Sequence, residues 1–154
     1  MSNEVTAFDV PEDFEYVSLS EIDPNAKPIA EAMYNTRVQS IKTVDYVTKN
    51  GKNAGKPGRR YEFRLQVTED GPARGRVVFD SLFHGEGAFR ALRRLMDATG
   101  IPQDNGEPLS EYLTRVAAEQ PEVKYKITVK TEKDRDGNDV AKNRVDFYSA
   151  TIAG

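Results

Sequence analysis

Hydrophobic and polar residues alternate with a period of two in five segments of the chain, which predicts five β-strands. The clearest is Arg60–Val67, where one face is apolar and the other carries only charged and amide side chains, as in a strand buried on one side. In the first segment the alternation slips once near Ile41, which indicates a β-bulge. The five predicted strands are Asn35–Thr48, Arg60–Val67, Gly75–Phe83, Val123–Lys130 and Asn143–Ile152.

Between the third and fourth strands the apolar spacing becomes helical. Over Glu86–Thr99 the apolar side chains fall on one face, and Gly100 stands where a C-terminal cap belongs. A second, shorter helix is predicted over Pro108–Gln120, because proline suits a first helical turn. The resulting fold class is mainly β: a five-stranded OB-fold-like barrel with a helical insertion between strands 3 and 4. A small β-sandwich has the same element order and stays open as an alternative.

Charge divides the chain into two parts. Residues 1–31 carry eight acidic residues and one lysine, a net charge of −7, which leaves 17 acids and 21 bases, or +4, in residues 32–154. Three prolines and the absence of a sustained apolar period predict that residues 1–31 form an acidic arm, extended or partly disordered. Residues 32–154 are predicted to form one OB-like nucleic-acid-binding domain, since a mildly basic body favours a polyanionic partner.

The amino-acid composition indicates in which cellular compartment the protein is expected. Hydrophobic residues make up 38% of the chain and charged residues 31%, and no apolar run approaches the roughly 18–20 residues of a membrane helix. We therefore expect no membrane partner. The first residues lack the basic and apolar start of a secretory signal. The chain has no cysteine, which excludes disulfides and thiolate sites and favours a cytoplasmic location.

The segment between the first two strands is the strongest candidate for binding an anion. Its glycines at 51, 55 and 58 allow a ligand to approach the backbone, and its cations would neutralise phosphates. Alone, it would be an ordinary soluble hairpin loop. Its position favours binding, because the loop between strands 1 and 2 of an OB-fold contacts oligonucleotides. The predicted phosphate-binding residues here are Lys49, Lys52, Lys56, Arg59 and Arg60.

Polar strand faces extend this candidate site. Proteins that bind single strands pair cations with aromatic side chains on which bases stack. Tyr148, on a polar strand face, and Tyr46, near the end of the first strand, are the predicted stacking residues. The aromatic residues Tyr61, Phe63 and Tyr125 share apolar faces, and we expect them in the core. Further predicted phosphate contacts are Arg64, Arg76, Lys124, Lys126 and Arg144.

Motifs for catalysis or metal binding are incomplete in this sequence. Residues 51–57 resemble a P-loop, but only three residues separate the first two glycines and Pro57 replaces the required Ser or Thr. Residues 134–138 resemble the start of a calcium loop, yet Val145 stands where the closing glutamate belongs. His84 is the only histidine, and we expect it to help start the first helix. The sequence therefore predicts no enzymatic activity, no cofactor and no metal.

Six segments between Tyr34 and Ala150 are similar to those of a known protein family: Asn50–Lys52, Arg60–Leu65, Gly75–Leu82, Ala88–Leu95 with Gly100, Val123–Lys130 and Asn143–Tyr148. Through these segments the chain resembles the small phage-encoded single-stranded DNA-binding proteins. This resemblance implies an OB-like barrel that binds single-stranded DNA, without catalysis, during phage replication or recombination. It also implies a location in the host bacterial cytoplasm.

The predicted partner is thus single-stranded DNA, bound with little dependence on its sequence. The acidic arm is either a solvated linker or a mimic of DNA, which would compete for the basic groove or recruit replication or recombination proteins. A homo-oligomer is compatible with the sequence. The alternative function is a protein-interaction module on the same barrel, such as a phage adaptor or an inhibitor of a host enzyme; a virion structural protein is a third. Since the loop 130–142 mixes acids and bases, we expect the binding site to depend mainly on residues 49–60 and the basic strand faces.

Overall fold

The computed structural model describes residues 27–154 and contains every predicted strand and helix. Most of the predicted acidic arm, residues 1–26, lies outside the described residues. Neither helix in the described part is long and apolar enough to cross a membrane. The elements are β1 (Ala32–Val47), β2 (Pro57–Val67), β3 (Val77–Phe83), α1 (Glu86–Thr99), α2 (Leu109–Glu119), β4 (Glu122–Lys133) and β5 (Asp139–Thr151).

The five strands form one antiparallel sheet in the order β3-β2-β1-β4-β5. β1, β2 and β3 follow one another as hairpins. The chain then returns through α1 and α2 and places β4 beside β1, which is a Greek-key arrangement. β5 pairs with β4 and completes the sheet. A mainly β fold with the helices inserted between the third and fourth strands is therefore confirmed.

A bulge bends β1, the long central strand. Its register against β2 shifts between Val38 and Ser40, so that Gln39 is an extra residue. Residues 32–37 of β1 pair with β4, whereas residues 36–47 pair with β2. The slip predicted near Ile41 is thus confirmed. Because a bulge increases the local twist, it helps the sheet to curl around its inner face.

The inner face of the curled sheet holds the hydrophobic core. Tyr61, Phe63 and Tyr125 are each at most 1% exposed, which confirms that these predicted core aromatics lie inside. α1 lies against β5 and α2 against β1, and the fully buried Leu95 and Leu113 join the same cluster. Burying each of these large side chains contributes about 1.5–3 kcal/mol, so the two helices stabilise the curled sheet.

The first helix begins and ends beside residues that the sequence singles out. Gly100 adopts the left-handed conformation with φ 71°, and its N–H donates to the Met96 carbonyl at 2.9 Å. At the other end the N-cap is Gly85, without a side-chain cap. His84 precedes this cap, and its ring packs edge-on against Phe89 in the first turn, with 4.9 Å between ring centroids. A contact between these two positions fixes how the chain enters a helix, which agrees with the expectation that His84 helps start it.

The two edge strands approach each other, but no backbone ladder joins them within residues 27–154. Instead, Asp80 of β3 bridges the opening: its Oδ2 accepts from the Val145 N–H at 2.8 Å, and its Oδ1 lies 3.2 Å from Arg144 Nη2. This carboxylate is only 5% exposed, because its ladder partner is the buried Phe63. The predicted barrel is not confirmed, since the sheet stays open between β3 and β5.

Candidate nucleic-acid interface

The outer face of β3 presents two phenylalanine side chains to the surface. Val78 is buried in the core, and because side chains alternate along a strand, Phe79 and Phe83 point outward. They are 64% and 57% exposed, and their ladder partners on β2 are Arg64 and Arg60. Exposed apolar side chains rimmed by polar ones mark an interaction site when they form a contiguous patch.

Arginine side chains lie over the aromatic rings of this patch. The Arg64 Cζ is 5.2 Å from the centroid of the Phe79 ring, and the Arg60 Cζ is 5.5 Å from that of Tyr46. Tyr46 meets Phe83 edge-on, with 6.4 Å between ring centroids. A guanidinium at this distance from a ring is attracted by its π electrons. We call these five residues the aromatic face: Tyr46, Arg60, Arg64, Phe79 and Phe83.

Neighbouring residues hold the aromatic face in position. The Arg64 Nε donates to the Oε1 of Gln39 at 2.6 Å, and Gln39 is the extra residue of the β1 bulge. Gly58 is the ladder partner of Tyr46, and a Cβ added there would lie 2.5 Å from the tyrosine ring. The absence of a side chain at position 58 thus lets Tyr46 lie across β2.

The loop between β1 and β2 lies at one end of the aromatic face. Gly51 and Gly55 adopt left-handed conformations with φ 79° and 84°, and the Gly55 N–H donates to the Thr48 carbonyl at 2.7 Å. Lys56 lines a surface groove together with Tyr46. The loop carries three exposed lysines, none of them in an ion pair with another described residue, and of these the structure places Lys56 beside the aromatic face: Lys49, Lys52 and Lys56.

The two predicted arginines at the start of β2 contact carboxylates. Arg59 forms a bidentate pair with Asp45, with Nε–Oδ1 and Nη2–Oδ2 distances of 2.6 and 3.1 Å. This hydrogen bonding lowers the pKa of Asp45 and raises that of Arg59. The Arg60 Nε lies 2.9 Å from Glu62 Oε2. Exposed pairs of this kind contribute little to stability because solvent screens them, so a phosphate can compete for the same donors.

Other predicted cations are held by groups away from the aromatic face. Arg144 lies 3.2 Å from both Asp80 and Glu132, which assigns it to the opening between β3 and β5. Arg76 donates to a backbone carbonyl in the segment before β1, at 2.7 Å. Lys124 donates to the carbonyl of the last residue, at 3.0 Å. The structure therefore does not bring Arg76 and Lys124 together with the aromatic face, whereas Arg144 lines a groove with Phe79 and Phe83.

Tyr148, one of the two predicted stacking residues, lies beside α1. Its side chain is on β5 and half-exposed, and a Cβ added at Gly87 in the first turn of α1 would lie 2.5 Å from its hydroxyl. Among the described residues its ring pairs with no other aromatic ring. Of the two predicted stacking residues, only Tyr46 therefore joins the aromatic face.

A second cationic surface lies on the β4–β5 hairpin. The predicted Lys126 lines a groove with Lys130, and Lys142 is directly opposite Lys130 in the ladder. The adjoining groove reaches from Lys142 to Phe79 across the opening between β3 and β5. Three carboxylates line the groove of Lys126 and Lys130: Asp80 and Glu132, which pair with Arg144, and Asp146, which is opposite Lys126 in the ladder. We call Lys126, Lys130 and Lys142 the lysine groove; within residues 27–154 none of them forms an ion pair.

The opposition of Lys130 and Lys142 has a physical cost. Like charges directly opposite each other in an antiparallel sheet repel, and the pair destabilises the ladder. An anion placed between two ammonium groups removes this repulsion.

Four residues of these two surfaces are not predicted from the sequence as site residues: Phe79, Phe83, Lys130 and Lys142. Apolar residues fill most of β3, so the sequence pattern alone does not decide which ones face outward. The charged residue Asp80 suggests an orientation for β3, but the suggestion is wrong. A carboxylate is expected on the solvent-facing side of the sheet, and here it points inward. The importance of Lys130 and Lys142 depends on the β4–β5 register, which the sequence does not specify.

Groups that could perform acid–base or metal chemistry are sparse in the described part of the chain. Within residues 27–154 no three histidine or carboxylate side chains are arranged to hold a metal ion. Burial raises the pKa of Tyr61, whose hydroxyl is hydrogen-bonded to His84.

Comparison with protein-family models and with curated proteins gave no match for this chain. Its function is therefore inferred from the geometry of the aromatic face and the lysine groove.

Proposed function

We propose that this protein binds single-stranded DNA with little dependence on sequence, and that bases stack on the aromatic face. The observation that carries the proposal is the outward placement of Phe79 and Phe83, 64% and 57% exposed, beside arginines that lie over neighbouring rings. A base stacked on an aromatic side chain contributes about 1–3 kcal/mol, and every base has such a face. Duplex DNA hides these faces, so the site favours single strands.

Cations on both sides of the aromatic face supply the phosphate contacts. Lys56 of the loop 48–56 lies beside Tyr46, and Lys142 of the lysine groove lies beside Phe79. A strand that crosses the aromatic face therefore meets positive charge where it enters and where it leaves. Neutralising phosphates releases counterions, which makes the affinity fall as salt rises.

The topology supports an OB-type fold for this function. That fold is a partly open Greek-key barrel of five strands, which binds oligonucleotides on the face of strands 2 and 3 and with the loops 1–2 and 4–5. Here the aromatic face lies mainly on β2 and β3, the lysine-rich loop joins β1 to β2, and the lysine groove lies on the β4–β5 hairpin. With the resemblance to phage proteins, this supports a role in phage replication or recombination in the host cytoplasm.

Substitution of the two phenylalanines tests the proposal. Anisotropy of a labelled oligothymidine of about 15 nucleotides, near the upper site size of one such fold, is measured against protein concentration. Phe79→Ala and Phe83→Ala should each weaken binding about five- to 150-fold, the equivalent of one lost stack. Phe79→Tyr should retain most of the affinity, because the ring and its exposure are kept.

Phe89→Ala is the matched control, because Phe89 is an exposed phenylalanine on α1 and not on the sheet. It should leave the affinity unchanged. Equal losses in Phe89→Ala and Phe79→Ala would contradict stacking on the aromatic face. If no variant and no wild-type protein bound the probe at low salt, the DNA-binding proposal would fail, and the exposed phenylalanines would then favour a protein partner.

A further inference from the structure

The short segment before β1 crosses the opening between β3 and β5. Ile29 is buried, and its backbone N–H and carbonyl both bond the side-chain amide of Asn143 on β5, at 2.9 and 3.0 Å. Two residues earlier, the Lys27 carbonyl accepts from Arg76 Nη2 at 2.7 Å, just before β3. The segment is therefore tied to both edges of the sheet.

This attachment fixes where the acidic N-terminal residues begin. Asn143 lines the same groove as Lys142 and Phe79, so the chain that precedes Lys27 begins close to the lysine groove. The 26 residues that precede Lys27 are therefore attached beside this groove.

The charges of the two parts of the chain are complementary. Residues 1–26 contain seven acidic residues and no lysine or arginine, which gives −7, so residues 27–154 carry −3 − (−7) = +4. On the described side, Lys130 and Lys142 oppose each other without a carboxylate partner within residues 27–154. A segment tethered next to a site is present there at an effective concentration of order millimolar, so even weak attraction is sufficient for contact.

We propose that the acidic residues 1–26 compete with nucleic acid for the lysine groove of the same molecule. Their carboxylates stand in for phosphates and relieve the repulsion between Lys130 and Lys142 when no strand is bound. The competition with DNA rests on the proposed function, whereas the contact between residues 1–26 and the lysine groove does not. A short oligonucleotide, which engages only the aromatic face, leaves the acidic residues in place; a longer strand displaces them.

The test uses the full-length protein with every Glu→Gln and every Asp→Asn within residues 1–26. At low salt, its affinity for the oligothymidine of about 15 nucleotides should exceed that of wild type about five- to 150-fold, the usual range for coupled sites. The gain should shrink as salt is raised, because screening shortens the range of the attraction. Equal affinities at low salt would overturn the proposal.

A double-mutant cycle separates local contact from a general effect of net charge. In the background Lys130→Ala with Lys142→Ala, neutralising residues 1–26 should no longer raise the affinity. A gain that persisted undiminished in this background would show that net charge alone is responsible, and the proposal would fail.

A measurement without DNA distinguishes the two hypotheses. The amide chemical shifts of Lys142 and Asn143 should differ between the wild-type protein and the variant with neutralised residues 1–26. If the shifts differ but neither protein binds DNA, the contact between residues 1–26 and the lysine groove is supported and the proposed function is contradicted. If the shifts are unchanged and both proteins bind DNA with equal affinity, the contact is contradicted and the proposed function is supported.

Discussion

The carboxylate of Asp80 joins the two edges of the sheet, and its removal gives a measurable loss of stability. Asp80→Ala deletes the acceptor of the Val145 N–H, which lies 2.8 Å from Oδ2, and one of the two carboxylates around Arg144. The sheet has no backbone ladder at this point, so no neighbouring carbonyl replaces the lost acceptor. We therefore expect the β3–β5 opening to widen in this variant.

The size of the loss follows from these two contacts. Leaving a partly buried N–H without an acceptor costs about 1–3 kcal/mol, and the half-exposed pair with Arg144 contributes about 0–1 kcal/mol. The free energy of unfolding should thus fall by about 1–4 kcal/mol. At about 2–4 °C per kcal/mol for a chain of this size, the melting temperature should fall by about 2–16 °C. Asp80→Asn should lose less, because its amide oxygen still accepts from Val145.

Urea unfolding followed by circular dichroism measures this loss, and hydrogen exchange at Val145 locates it. The control is Asp97→Ala, which removes an exposed carboxylate paired with Arg93 on α1 and should change the stability by no more than about 0.5 kcal/mol. Equal stabilities of Asp80→Ala and wild type, or no faster exchange at Val145, would refute a bridging role for Asp80.

Two further substitutions give independent predictions. Gly58→Ala would place a Cβ 2.5 Å from the Tyr46 ring, so it should displace that ring and weaken oligothymidine binding in an anisotropy titration. Gly87→Ala, whose Cβ would meet only a tyrosine hydroxyl, should leave binding unchanged; equal losses would contradict a role for Tyr46. Hydrogen bonding to Arg115 lowers the pKa of Glu107 below its ordinary 4.5, so the carboxylate stabilises the fold above that pH and loses its effect as the pH falls through the lowered pKa. Glu107→Gln should therefore melt below wild type at pH 7 and show a shrinking difference in acid, and a difference independent of pH would contradict this.

The local periodicity of the sequence predicts most of the fold. Strict alternation identifies the strand that contains Tyr61 and Phe63, and a single slip near Ile41 indicates the bulge that inserts Gln39. These features depend on neighbours along the chain, so they are readable without a structure. The approach of β3 to β5 depends on the curl of the whole sheet, so the local pattern that predicts an OB-fold-like barrel does not reveal the opening that Asp80 bridges.

The candidate site is harder to predict from the sequence than the fold, because its properties depend on residues far apart in the chain. Arg59 and Arg144 look like free cations in the sequence, but Asp45 and Asp80 reach them through the folded sheet. The outward orientation of Phe79 follows from the register of β3 against β2. Lysines of the loop 48–56 are predictable, since a surface loop needs no distant partner.

The most direct test of single-strand binding is an anisotropy titration of the wild-type protein with oligothymidine and with a duplex of the same length, at several salt concentrations. Stacking on the aromatic face predicts tighter binding of the single strand, and phosphate contacts with the surrounding lysines predict that the logarithm of the affinity falls linearly with the logarithm of the salt concentration. Equal binding of duplex and single strand would contradict stacking on the aromatic face. No binding at low salt, even with residues 1–26 neutralised, would contradict the proposed function itself.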